Sequence, residues 1–451
     1  MYLATFTFTV AVLPAMLLCY YLIPAKVKNG FLLVCSLLIY GWCAPLRVLY
    51  PMAVICFDYG MGLLIERFQK KRMLCTCLLG GAAVIHTAAL MAVRAFSAAG
   101  AIVFPFGMAV CALHGLGYLI GIYRGRHGAT LNFLHVALYL CYFPVLYAGP
   151  VVAYPEFEAQ LRSRKCNIFH VGDGLALFIQ GLAEKVVLAD TFGYIFRELR
   201  QTGEMSMLTA WLTTVCFTMY LYFELLGYSE MARGLGRAMG FDIPKNFSHP
   251  FFTPNITAFM QSWSLTVLSW FQTNFRQFLF PRQDKTWQKY AVIILTWVLI
   301  GAWYGMRPQF ILWGLVIGVL VTLDQMLFQP LFRNRYVPGM IYTALLTQFS
   351  WVLFFADDLS EVGMIWKSML GFGKGIADSY GFYFFTSYIA LILLGLYIAT
   401  DLFRNITDRV STTRFGEFIT SLKPLGLGIL FVFSLASMLY GERIDGLWLN
   451  L

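Results

Sequence analysis

Charged side chains are scarce in this sequence. Asp, Glu, Lys and Arg together make up 12% of its 451 residues, against about 25% in a soluble globular domain. A water-facing exterior of ordinary composition is therefore excluded. The first 23 residues, MYLATFTFTVAVLPAMLLCYYLI, hold no charged group at all. A secretory leader needs a basic n-region and a small-residue cleavage site; both are missing, which predicts an uncleaved first span. No Ser/Pro-rich linker or low-complexity tract divides the chain, so one membrane-embedded unit over residues 1–451 is expected. No period of 20–50 residues repeats, and the two halves show no matching broken helices, which counts against a transporter built from inverted repeats. Histidine stops at His249. Most of the ten cysteines (Cys19, Cys35, Cys56, Cys111, Cys141 and Cys216 among them) lie in apolar runs, where they act as small hydrophobes. Cys75 and Cys77 are too close for a usual zinc pair and no histidine cluster joins them, so neither a metal site nor a disulfide framework is predicted.

What is present is apolar surface: 59% of residues are hydrophobic and 17% aromatic. The composition predicts an all-α, polytopic integral membrane protein, with about 11–13 transmembrane helices of the usual ~20-residue length. The candidate spans are 3–24, 30–45, 48–65, 73–93, 99–122, 132–153, 173–195, 206–226, 288–304, 309–328, 338–356, 382–403 and 424–440. Residues 227–287 break the pattern. They carry Glu230, Arg233, Arg237, Asp242, Lys245 and Asn246, then the amphipathic run FMQSWSLTVLSWFQTNFRQFLF. That stretch predicts re-entrant or horizontal helices lining a cavity, and 359–377, interrupted by Glu361, Lys367 and Lys374, predicts a second. The net charge of +10 reads as loop topology signals and headgroup contacts, with no nucleic-acid partner. Basic loops after the first, third and fifth spans (Lys26 and Lys28, ERFQKKR, RGRH) put the N-terminus outside. Arg162, Arg164 and Lys165 break the alternation, so this topology extends only to about residue 150.

The stretch LIGAWYGMRPQFILWGLVIG, residues 299–318, places Tyr304, Pro308 and four glycines (Gly301, Gly305, Gly314, Gly318) at membrane depth. The glycines permit close backbone approach, Pro308 interrupts a helix, and a hydroxyl in lipid is costly. Together they predict a lined cavity.

Four segments carry a family resemblance. They are SLLIYGWCAP (36–45), FPFGMAVCALHGLGYLIGIYRGR (104–126), CYFPVLYAGPVVAYPEFEAQL (141–161) and LYFELLGYSEMARGLGRAMGFDIPKNFSHPF (221–251). In order and spacing the chain resembles the membrane-bound O-acyltransferase superfamily. It is most similar to the bacterial branch with the alginate O-acetylase and teichoic-acid D-alanyl transfer membrane proteins. The resemblance implies a helical core around a central tunnel in the bacterial cytoplasmic (inner) membrane. Through it an acyl group would pass from a cytoplasmic thioester donor, acyl-CoA or an acyl carrier, to an extracytoplasmic polymer. No bound cofactor is implied. Besides the bilayer, the implied partners are the acyl carrier and an extracytoplasmic acyltransferase or polymer-export protein.

The departures from the family pattern bear on chemistry. The histidine expected after the tryptophan of the amphipathic run is Ser264, in QSWSLTVLSW. The likely catalytic histidine is Tyr304, in GAWYGM, and a later one is Ile317, in WGLVIG. Imidazole near pKa 6.5 accepts a proton at neutral pH, whereas a phenol near 10 is almost wholly protonated. General-base help is typically worth about 10²–10⁴-fold. Tyr304 can donate a hydrogen bond but is a poor base, and Ser264 as nucleophile needs an activating base. Three readings stay open: an active transferase with displaced groups, a catalytically silent scaffold or assembly subunit, and, more distantly, a lipid conduit.

His249, in NFSHPFF, is a candidate base, or else a polar residue at an interfacial turn. His86 and His114 read as satisfied core histidines. Glu230 and Arg233 read as an i,i+3 ion pair. Glu224 has no partner nearby in sequence and matches an acidic family position, so it reads first as a supporting group. Tyr228, Asn246, Trp263 and Trp303 join Glu224 and Glu230 as expected tunnel-wall or supporting positions. Trp263, Trp270, Phe271 and Phe275 at helical spacing read as core packing or an acyl-chain lining.

Overall fold

A computed structural model describes residues 3–42, 45–98, 107–164, 167–201, 203–279, 285–305, 307–332, 335–400 and 414–441. The regular structure of the described residues is all helix, with no strand among them. Seven of their helices are long and apolar enough to cross a membrane: Leu49–Arg67, Arg72–Ser97, Met207–Ala238, Pro308–Phe332, Tyr336–Phe355, Ser379–Ile398 and Ser421–Tyr440. Three shorter apolar helices, Phe8–Leu22, Met108–Tyr123 and Phe133–Leu146, add to them. The protein is a multi-pass integral membrane protein. The parts of the expected spans at 99–106 and 401–403 lie outside the described residues. The chain divides into two compact units, Met1–Gly181 with Tyr228–Lys245, and Leu182–Gly227 with Asn246–Leu451.

In the first unit, α1 (Leu49–Arg67), α2 (Arg72–Ala98) and α3 (Met108–Tyr123) pack together. They bury Asp58 against His86, with Nε2 2.9 Å from the carboxylate. The expected span 132–153 is not one helix. Phe133–Cys141 stops, a one-turn helix restarts at Phe143 with Pro144 in its first turn, and the chain then runs extended. Proline has no N–H to continue the earlier ladder but fits a helix start. The extended part is tied down where Val152 N–H donates to His114 Nε2 at 3.1 Å.

The expected boundary at residue 227 also fails. Helix α4 runs unbroken from Met207 to Ala238. The charges that suggested a break are neutralised along it: Arg233 Nη1 lies 2.5 Å from Glu230 Oε2. The helix ends in a Schellman motif at Gly240, whose φ is 82°. Phe241 N–H donates to Gly236 O at 2.8 Å and Gly240 N–H to Arg237 O at 3.1 Å, closing the carbonyls that a helix end leaves open. Two tyrosines of the first apolar helix complete the cap. Tyr20 donates to Met239 O at 2.7 Å and Tyr21 to Ala238 O at 2.6 Å.

The second unit contains α5 (Ile256–Ser262) and α6 (Leu265–Leu279). They lead to α7 (Thr286–Tyr304), α8 (Pro308–Leu323), α9 (Tyr336–Phe355), α10 (Leu359–Met369) and α11 (Ser379–Ile398). α10, in the expected amphipathic segment 359–377, is about 16 Å long at 1.5 Å per residue, too short for a ~30 Å core.

The four glycines of 299–318 serve helix contact. A Cβ on Gly301 would lie 2.2 Å from Phe310 O, and one on Gly314 2.3 Å from Trp297 O. α7 and α8 therefore pack backbone to backbone, the use small residues have in membranes. Pro308 does not interrupt a helix either; it is the first residue of α8, where its missing N–H costs nothing.

Candidate functional site

Two sequence-predicted residues meet in the second unit: the hydroxyls of Ser264 and Tyr304 lie near each other. Tyr304 is the last residue of α7. Ser264 stands in the link between α5 and α6 with a left-handed φ of 50°, a conformation costing a non-glycine residue about 1–3 kcal/mol. Asn246 supplies the restraint that holds it. Its backbone oxygen accepts from Leu265 N–H at 2.8 Å, and its side-chain oxygen accepts from Thr266 N–H at 3.2 Å and Thr266 Oγ1 at 2.7 Å. Asn246 thus caps α6 from a distant part of the chain and fixes the turn that presents Ser264.

Aromatic rings surround the pair, and Tyr304 itself is half-buried. Tyr304 contacts Trp303 at 5.1 Å, Phe354 at 5.3 Å and Trp313 at 5.9 Å between ring centroids. Trp313 stacks on Trp351 at 5.5 Å, and Trp351 contacts Trp263 at 5.0 Å. Trp263 is surrounded in turn by Tyr222, Phe247, Phe251 and Phe259. His249 sits half-buried between Phe247 and Phe251, in left-handed backbone with φ 43°. Trp270, Phe271 and Phe275 contact one another along α6, and Phe271 reaches Trp303 at 6.5 Å.

Around Tyr304, then, the partners are one hydroxyl and three aromatic rings; among the described residues no carboxylate or imidazole bonds its hydroxyl. Ile317, at the third histidine position, is fully buried in α8. The indole N–H groups of Trp313 and Trp351 are buried with no hydrogen-bond partner among the described residues. Such a donor carries a desolvation cost of about 1–3 kcal/mol.

A cavity of about 220 Å³ lies between α5, α6, α7 and α8, and Trp297 is part of its lining. Trp297 abuts Trp313 at 6.2 Å, and neither Tyr304 nor Ser264 lines the cavity. Trp297 and Trp313 link the cavity lining to Tyr304 on one side, and Leu268, also in the lining, lies one helical turn from Ser264 on the other.

Glu224, with no partner nearby in sequence, finds one across the fold. Lys185 Nζ lies 2.8 Å from Glu224 Oε2 and 2.5 Å from Asp190 Oδ1, and all three side chains are buried. Lys185 occupies a π-helical turn, Glu184–Ala189, 39 positions before Glu224 in sequence, so no local spacing rule reveals the pair. The remaining predicted positions belong to the first unit. Tyr228 stacks on Tyr147 at 3.8 Å, and Glu230 is the ion-pair partner of Arg233. Sequence reasoning missed Trp313, Trp351 and Lys185. Trp313 was visible at the head of WGLVIG; Trp351 and Lys185 had no local signal.

Comparison with known proteins places these residues in context. The sequence pattern of the MBOAT, membrane-bound O-acyltransferase family matches residues 124–356, a stretch that contains both Ser264 and Tyr304. The chain is 29% identical over 380 residues to a probable alginate O-acetylase of Azotobacter vinelandii, covering 80% of this chain and 76% of that protein. It is 29% identical over 248 residues to a peptidoglycan O-acetyltransferase of Helicobacter pylori, covering 53% and 47% respectively. To a teichoic acid D-alanyltransferase of Bacillus subtilis it is 27% identical over 226 residues, 47% of this chain and 57% of the other.

Proposed function

The chain belongs to the membrane-bound O-acyltransferase family, and we propose that it serves a system that O-acylates a cell-surface polymer, from a place in the bacterial cytoplasmic membrane. Within that system it is a silent member that supports or assembles the machinery, while a partner carries the transfer step. The observation that carries this reading is the lack of a base beside Tyr304, which is itself half-buried. Its hydroxyl lies near that of Ser264, its ring contacts Trp303, Trp313 and Phe354, and neither Tyr304 nor Ser264 lines the nearby cavity. Attack on a thioester needs a base beside the acceptor hydroxyl, and neither partner hydroxyl is one at neutral pH.

A second reading is favoured by one observation, the unpartnered indole N–H groups of Trp313 and Trp351. With the Tyr304 hydroxyl they form a group of donors suited to an acyl carbonyl oxygen. The acyl group would then pass from acyl-CoA or an acyl carrier on the cytoplasmic side to an extracytoplasmic hydroxyl. Tyr304 would stabilise the developing oxyanion, and a partner would supply the base.

One experiment separates the two. Cells lacking the gene are complemented with wild type or with Tyr304→Phe at equal protein level, and ester-linked acyl groups on the surface polymers are quantified. The silent reading expects acylation to fall in the deletion and to return fully with Tyr304→Phe. A loss of about 10²–10³-fold with the variant, the worth of one oxyanion donor, establishes the second reading instead.

A further inference from the structure

The cavity between α5, α6, α7 and α8 has a polar end that the transfer reading does not use. Gln261, Gln272, Gln325 and Lys289 line it, with Leu268 and Val321 on the apolar side. Among the described residues, the three glutamine amides make no hydrogen bond to protein, and the ammonium of Lys289 has no carboxylate partner. Lys289 stands in the first turns of α7, beside Trp287, which is 58% exposed. An exposed tryptophan beside basic residues marks the headgroup level of a membrane. Lys285 stands one turn before Lys289 at the start of the same helix, a second cation of the kind that favours the leaflet rich in anionic lipid.

We propose that this cavity seats the phosphoglycerol head group of an anionic phospholipid. The chemistry fits part by part. An ammonium is a point-charge partner for phosphate. Each carboxamide offers both a donor and an acceptor, which suits glycerol hydroxyls and phosphate oxygens together. The apolar side receives the start of the acyl chains. Size limits the ligand: about 220 Å³ is below the roughly 300–1,000 Å³ of pockets that enclose drug-sized ligands. It holds a head group, not a whole nucleotide cofactor.

The test uses the full chain purified in detergent, stripped of lipid, and titrated with phosphatidylglycerol or phosphatidylcholine of matched acyl chains. Native mass spectrometry counts bound lipid, and thermal unfolding reports stabilisation. Inorganic phosphate and glycerol phosphate serve as soluble competitors. One phosphatidylglycerol retained in preference to phosphatidylcholine is expected. Roughly tenfold weaker binding is expected in Lys289→Gln, where one charged hydrogen bond is lost, and weaker binding also in Gln272→Leu. Both altered side chains are exposed, and an unchanged elution profile confirms the fold. Equal retention of the two lipids, or retention unchanged in both variants, overturns the proposal. Stabilisation by inorganic phosphate equal to that by lipid overturns the lipid source and leaves a soluble anion.

Discussion

Lys185 and Glu224 form an ion pair of 2.8 Å inside the second unit, with Asp190 as a second carboxylate 2.5 Å from the same ammonium. One cation thus answers two anions where each side chain is at most 9% exposed. Such a cluster is held by mutual compensation, and its cost appears when one member is removed.

Lys185→Met is expected to destabilise the protein by about 3–5 kcal/mol, because two carboxylates are left facing each other without a cation. Glu224→Gln is expected to cost much less, since Lys185 keeps Asp190. Thermal unfolding in detergent, with the fraction eluting as a single species, measures both. Equal losses for the two variants would contradict the shared-cation arrangement.

The α7–α8 contact makes a prediction about size. Gly314→Val places a side chain where the Cβ alone meets Trp297 O at 2.3 Å. A loss of about 1–3 kcal/mol or more is expected, as for overpacked cores. Gly60→Ala, inside α1 where nothing lies within 4 Å of the new Cβ, is expected to cause no loss and to stabilise by up to about 1 kcal/mol in the same assay.

Asp378 offers a pH-dependent test outside the spans. Its carboxylate caps α11, with Oδ1 accepting from Gly381 N–H at 2.6 Å and Oδ2 accepting from Thr209 Oγ1 at 2.6 Å. Burial opposes its ionisation, but donors from Gly381, Ser206 and Thr209 outweigh this and hold the carboxyl at about 2. A carboxyl depressed below its unfolded value near 3.9 stabilises fully above that value, and the contribution fades as pH falls toward 2. Asp378→Ala is therefore expected to lose stability at neutral pH, by about 0.5–2 kcal/mol, the range for removing a helix cap. The gap to wild type should narrow as pH falls below about 4. A gap constant from pH 7 to 3 would remove the charge from the account.

The restoring pair Tyr304→His with Ser264→His is the converse of the tyrosine test. If the silent reading holds, acyl transfer does not appear, because the enclosing indoles of Trp313 and Trp351 remain in place. Transfer gained by the double variant alone would show that the missing bases are the whole deficit.

The membrane class, the all-helical fold and the Glu230–Arg233 pair were legible because they rest on composition and local spacing. The pairing of Ser264 with Tyr304 was foreshadowed only by the resemblance, since no spacing rule joins residues 40 apart. The break expected at 227 failed because counting charges ignores their pairing along a helix. The glycines of 299–318 misled for a related reason: close approach serves either a lined cavity or another backbone, and the sequence does not say which. Asn246 was named, but its capping of a helix that starts at Leu265 depends on a turn visible only in three dimensions.

The two tyrosine caps on α4 bear on how the protein is made. Tyr20 and its acceptor carbonyl at Met239 are 219 positions apart. At about 5–20 residues per second, a ribosome takes roughly 10–45 s to travel between them. The first apolar helix therefore waits in the bilayer, its phenols unplaced, until more than half of the polypeptide has emerged. Anything that shields those hydroxyls during the interval, an insertase or a chaperone, acts on the first unit before the second is complete.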